Sequence, residues 1–195
     1  MEKEKLNSIS TLFQSASQIQ DLIQRADDND ETKRLIQKFS ELKKTRIPFY
    51  LDNVEFDEIL HWKLRGQYGR QLIIRERNTE AFIISMTRSA FAVANTNEAW
   101  ETENRLRTLT KLNGVGIPVA SALLTICFPD KYSVIDFRGW RQVFGIAKKY
   151  SNYSYKEYCE YLFEIKQIAI KWDFTPQEVD MAIWQYDRET NRKRN

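Results

Sequence analysis

"LTKLNGVGIPVASALLTICFPDKYSVIDFRGW", residues 109–140, holds two glycines of a tight turn, an apolar run, and one aspartate between apolar neighbours. Gly114 and Gly116 can take backbone angles closed to other residues. A turn built on them points successive N–H groups outward. Pro118 sits near the first position of the following helix, where a missing N–H does no harm. Outward amides at a helix N-terminus make an anion site, and a nucleic-acid phosphate fits such a site without sequence information. The plainer reading is a close helix–helix connection. The apolar run predicts a helix over about 117–127, stopped by Pro129 and Asp130. "KYSVI" then reads as a short extended segment leading into a helix that begins near Asp136. Aspartate is an excellent N-cap, and a capping carboxylate can also stand at the mouth of a cleft.

Working outward, helical signals dominate. Only 4 Pro and 6 Gly punctuate 195 residues, which favours long regular elements. Leu6, Ile9, Leu12, Phe13, Ile19, Leu22 and Ile23 recur at helical spacing over 4–25. "DDNDETKRLIQKFSELKK" opens on acids and closes on lysines, matching the helix dipole, and Pro48 stops it. Asp52 with Glu55 predicts a capped helix through "VEFDEILHWKLR", and helices follow at about 79–94 and 97–111. Ser154 with Glu157 is a capping box, and Thr175, Pro176 and Glu178 open a last helix to about 187. "RQLIIRER" and "AFIIS" have strand-like composition but no turn signals, so helix is preferred. The expected fold class is all-α, with roughly nine or ten helices by pattern.

Charge and cysteine content narrow the partners. The net charge is +3, and "HWKLRGQYGRQLIIRER" gathers Lys63, Arg65, Arg70, Arg75 and Arg77 around Trp62 and Tyr68. Interleaved basic and aromatic side chains suit nucleic acid, although a solvated face reads the same way. Cys127 and Cys159 fall on apolar helix faces and read as buried free thiols. A single histidine, His61, excludes a His-rich metal site. No signal peptide or membrane-length apolar span is legible, so a cytoplasmic protein is expected, nucleoid-associated if the cell is bacterial.

The turn and the aspartate together resemble the helix-hairpin-helix motif of the HhH-GPD superfamily of DNA base-excision glycosylases. Leu112, Gly114, Val115, Gly116 and Ala120 match its hairpin, and Ile135-Asp136 stands where that family has a hydrophobic residue and the catalytic aspartate. Asp136 follows Gly116 by twenty residues, as in the endonuclease III branch, and Trp140 resembles an aromatic of the 8-oxoguanine branch. The close match covers about 106–145, with the motif itself at about 106–127.

The resemblance implies a single 1–195 unit of two helical lobes with a cleft between them. Residues 52–128 would form a helical barrel lobe ending in the hairpin. Residues 1–51 plus 129–187 would form the second lobe, with 188–195 a basic tail. It implies double-stranded DNA as partner, held mainly through phosphates at Gly114, Val115 and Gly116, a monomeric enzyme, and base flipping during base excision repair. Asp136 would be the catalytic carboxylate, stabilising positive charge on the deoxyribose as the N-glycosidic bond breaks. Trp62, Lys63, Arg65, Tyr68, Arg138 and Trp140 are the candidate pocket or phosphate contacts. The carbonyls of Thr110, Leu112 and Val115 would be able to coordinate a structural monovalent cation.

Two departures shape the expected chemistry. The bifunctional members carry a lysine where this chain has Pro118, so Schiff-base chemistry from that position is excluded and a monofunctional hydrolase is expected. Lys63 is the one other candidate amine, and a surface contact is its simpler reading. The four-cysteine run of the iron–sulfur branches is missing, so no cluster and no other cofactor is expected. The competing function is a non-catalytic helix-hairpin-helix DNA-binding module in which Asp136 only caps a helix.

Overall fold

Local side-chain chemistry sets the helix starts. The computed structural model describes residues 12–148 and 152–191. Ser15 caps α1 (Ala16–Gln24) and Asp52 caps α3 (Asn53–Leu64) through a reciprocal box with Glu55. Thr79 caps α5 (Glu80–Ala92), and Asn97 caps α6 (Glu98–Leu109). Ser154 and Glu157 form the box at α9 (Tyr155–Trp172). Thr175 and Glu178 do the same for α10 (Pro176–Asn191), whose first residue is proline. Each cap satisfies amides that a helix start leaves open. The remaining helices are α2 (Asn29–Thr45), the short α4 (Leu72–Arg75), α7 (Ile117–Cys127) and α8 (Phe137–Phe144), with a 3-10 turn at Arg65–Gln71. There is no strand among the described residues, so the fold is all-α; "AFIIS" is helical, and "RQLIIRER" runs from the 3-10 segment through the short α4 into a turn. None of its described helices is long and apolar enough to cross a membrane.

Two termini differ from expectation. Residues 12–15 are not helical, and α1 begins only after Ser15; Leu6 and Ile9 lie outside the described residues. At the other end α10 continues through Asn191, where Arg188 pairs with Asp27, so the basic tail is helical as far as described.

The apolar α7 is the axis of packing. From Ile117 to Cys127 every side chain except Pro118 is buried, which matches an apolar run without an amphipathic face. Helices α2, α3 and α6 pack on it, and α5 packs on α6 and α3. Lys43 of α2 donates to the Cys127 carbonyl at 2.5 Å, closing the end of α7. On the other side α10 packs on α1, α8 and α9, and α9 reaches across to α6. Thus α1 joins α10, whereas α2 joins α3 and α7. The buried apolar residues form one continuous cluster across both groups, from Phe13 to Ile183.

Candidate functional site

The segment Ser133–Asp136 is extended without a strand partner, so its backbone groups must find other satisfaction. Side chains from three helices supply it. Tyr158 of α9 donates to the Ser133 carbonyl at 2.8 Å. Asp180 of α10 accepts from the Val134 amide at 3.2 Å, and Ser121 of α7 accepts from the Ile135 amide at 3.1 Å. Asp136 follows at once as the N-cap of α8. Its Oδ1 accepts from the Arg138 and Gly139 amides, both at 2.9 Å. Oδ2 has no protein donor among the described residues. The carboxylate is thus held by a fixed backbone and by the positive end of a helix.

Asp136 lines a cavity of about 140 Å³. Trp62 and Lys63 come to it from the end of α3, Arg65 from the turn that follows, and Asp28 and Thr32 from the start of α2. Helix α10 contributes Gln177, Asp180, Met181 and Trp184, one face at helical spacing, and Thr125 of α7 is also on the wall. The Trp62 indole N–H donates to Thr32 Oγ1 at 3.0 Å, which fixes the ring. Lys63 is half-buried, lies on the cavity wall, and has no acid within ion-pair distance among the described residues.

Asp28 and Arg65 form a bridge of 2.5 Å at the cavity. Asp28 precedes α2 but its side chain does not cap it, and Oδ1 is buried without a partner among the described residues. Arg65 holds a φ of +46°, a region that disfavours L side chains and costs on the order of 1–3 kcal/mol.

Asp180 is a second carboxyl in the cavity. Its Oδ1 accepts from the Tyr161 hydroxyl at 3.1 Å and its Oδ2 from the Val134 amide. Burial first, and the neighbouring Asp136 charge next, raise this carboxyl to about 8, against the opposing pull of Lys63, Tyr161 and the Val134 amide. Nearby Tyr153 is also raised, to about 12, by burial and then by Asp136.

The other sequence candidates lie elsewhere. Tyr68 is outside the cavity, stacked on His61 at 3.5 Å with its hydroxyl on Asp57. Arg138 points away, because Asp187 holds it at 2.9 Å together with Arg141 at 2.7 Å. Trp140 packs on Phe144 and Tyr153, at 4.3 and 5.6 Å, and is a half-buried aromatic against the core, off the cavity wall. Arg75 of the basic stretch is buried, donates to the Tyr68 carbonyl and lies on the Tyr68 ring, so it is internal. Arg70 and Arg77 remain exposed. Cys127 is buried and Cys159 is half-buried; both are free.

The glycine turn between α6 and α7 is also separate from the cavity lining. Gly114 has a φ of +75°, whereas Gly116 is extended at −86°, 177°, a conformation any residue adopts. The special backbone requirement therefore falls on Gly114 alone. The Val115 amide donates to the Leu112 carbonyl at 3.1 Å, so it closes the turn and is not free for an anion. The amides of Gly114, Gly116 and Ile117 have no partner among the described residues. Asn78 holds the turn from outside, accepting from the Asn113 amide at 2.8 Å and donating to its carbonyl at 2.9 Å. Among the described residues no three His, Cys, Asp or Glu side chains are grouped to hold a metal ion.

Comparison of the chain with protein-family models, curated proteins and solved structures found no match. The site must therefore be interpreted from its own geometry.

The sequence pointed to Asp136, Trp62, Lys63 and Arg65, which the fold brings together. It missed Asp180, Asp28 and Trp184. A signal for Asp180 was present, since it stands between Val179 and Met181 as Asp136 stands between Ile135 and Phe137.

Proposed function

We propose that the protein is a DNA glycosylase of the helix-hairpin-helix class that hydrolyses the N-glycosidic bond of a damaged or modified base. The observation that carries this reading is Asp136, fixed at a helix N-terminus and lining a cavity with two tryptophans and a lysine. A cavity near 140 Å³ is close to one of about 150 Å³ that admits a single aromatic ring. A flipped base would enter it beside Trp62 and Trp184, and C1′ would stand near Asp136. Bond breaking builds positive charge on the deoxyribose, which the Asp136 carboxylate would stabilise.

The turn supports the same reading. Amides of Gly114, Gly116 and Ile117 would take a phosphate through the start of α7. Carbonyls at Thr110, Leu112 and Val115 would offer a monovalent cation a site beside that phosphate. Arg70 and Arg77 would add exposed charge. The enzyme would act as a monomer, without an iron–sulfur cluster.

Pro118 removes the hairpin amine, so the expected product is an abasic site in an intact strand. A panel of duplexes with single modified bases tests this. Free base with strand scission only after alkali supports the reading, and duplex binding without release of any base would defeat it. That second outcome defines the alternative, a DNA-binding module in which Asp136 only caps α8. Its two amide hydrogen bonds favour that alternative.

A further inference from the structure

Two carboxyls share the cavity but have different surroundings. Asp136 takes two backbone amides on one oxygen at the head of α8. Asp180 takes one donor on each oxygen, the Tyr161 hydroxyl and the Val134 amide. A proton on Asp180 must then occupy a lone pair that those donors do not use. The groups facing it are Asp136 from α8, Lys63 from α3, and Tyr161 and Tyr158 from α9, while Asp28 across the cavity is tied to Arg65. Both residues are half-buried, and like charges so close do not both persist easily; Asp136 has a helix N-terminus to hold its anion and Asp180 does not, so Asp180 is the one that keeps the proton. Burial and the Asp136 charge outweigh the opposing groups and raise the Asp180 carboxyl to about 8, which favours its protonated form at neutral pH.

We propose that Asp180 is the acid of this cavity, passing its carboxyl proton to the departing base while Asp136 stays charged beside the sugar, and that the bases excised are therefore neutral ones. This rests on the base-excision reading above. Breaking the C1′–N bond leaves the electron pair on the base nitrogen. A neutral base then departs as an anion unless it is protonated, whereas a base made cationic by alkylation departs neutral and needs no acid. Asp180 gives its proton to a ring nitrogen or a conjugated carbonyl oxygen as the bond breaks. Water adds to C1′, and the proton it sheds restores Asp180. One water is consumed, the base leaves with one hydrogen, and the sugar gains a hydroxyl. The Lys63 charge in the same cavity also disfavours a cationic ring.

The experiment has two arms on the full chain. Carboxyl carbon NMR of aspartate-labelled protein without DNA is expected to show one group titrating near pH 8, absent in Asp180→Asn. Titration of every aspartate below about pH 5, as for ordinary carboxyls, would overturn the proposal. Single-turnover base release is then measured with uracil, hypoxanthine, 8-oxoguanine and cationic 7-methylguanine duplexes. The expected result is release of a neutral base, slowing above pH 8, and a loss of about 10²- to 10⁴-fold in Asp180→Asn with duplex binding retained. Tyr161→Phe keeps the ring, removes a hydroxyl that favours the anion, and is expected to move the alkaline limb to higher pH. It carries the test if Asp180→Asn does not fold; an unmoved limb would count against the proposal. A wild-type rate in Asp180→Asn, with Asp136→Asn inactive, would refute the acid and leave excision standing. Preferred release of 7-methylguanine would refute the substrate class. No base from any of the four removes the acid role, and Asp180 titrating near 8 would then mark the failure as one of the excision reading.

Discussion

At Gly139 a single hydrogen decides whether Asp180 keeps its donor. A Cβ there would sit 2.4 Å from the Tyr161 hydroxyl oxygen, which is buried and bonded to Asp180. Gly139→Ala is expected to destabilise the fold by about 1–3 kcal/mol, seen as a lowered denaturation midpoint. An unchanged midpoint would mean that Tyr161 moves freely. The two turn glycines should separate in the same assay. Gly114→Ala places a side chain at positive φ and should lose about 1–2 kcal/mol, whereas Gly116→Ala meets nothing closer than 3.8 Å and should be nearly neutral. In the sequence the two are indistinguishable, because G-x-G shows small side chains but not φ. Asp136 was legible as a lone acid in an apolar run. Asp180 has the same signature, but α10 also reads as an ordinary amphipathic helix, and nothing in the chain order says that its acid faces Asp136.

Among the elements, helix starts were the most legible feature, because a cap and its amides lie within four residues. The boxes at Asp52–Glu55 and Ser154–Glu157 are both formed. Partners across helices were not legible. Arg138 was a candidate phosphate contact, yet Asp187, 49 residues later, takes it together with Arg141, Gln142 and Asn191. Asp187 is fully buried and joins α10 to α8, the helix that carries Asp136. Asp187→Ala leaves two arginines without their acid and is expected to destabilise by about 3 kcal/mol, measured by chemical denaturation. A loss below 1 kcal/mol would show that the arginines are rehydrated without strain.

Across the whole molecule, stability and the cavity are linked by protons. An unfolded aspartate titrates near about 3.9, while Asp180 in the fold does so at about 8. Between these values the folded chain holds a proton that the unfolded chain has released. This group's contribution to stability is therefore fully present at the acid end, is lost as pH rises through the window, and is level above it. Thermal scans should show the melting temperature of Asp180→Asn gaining on wild type from pH 5 to pH 8. A difference independent of pH would contradict a protonated Asp180. The all-helical class was readable from periodicity and scarce breakers, but the cavity was not. Its walls come from α2, α3, α7 and α10, and only the folded chain brings them together. The central claim, that Asp136 is a catalytic carboxylate and not only a cap, is tested most directly by Asp136→Asn on the duplex that wild type processes. Asparagine keeps an oxygen for the α8 amides and removes the charge. The account predicts an intact melting curve, retained duplex binding and base release reduced by at least about 100-fold; release at the wild-type rate would contradict it.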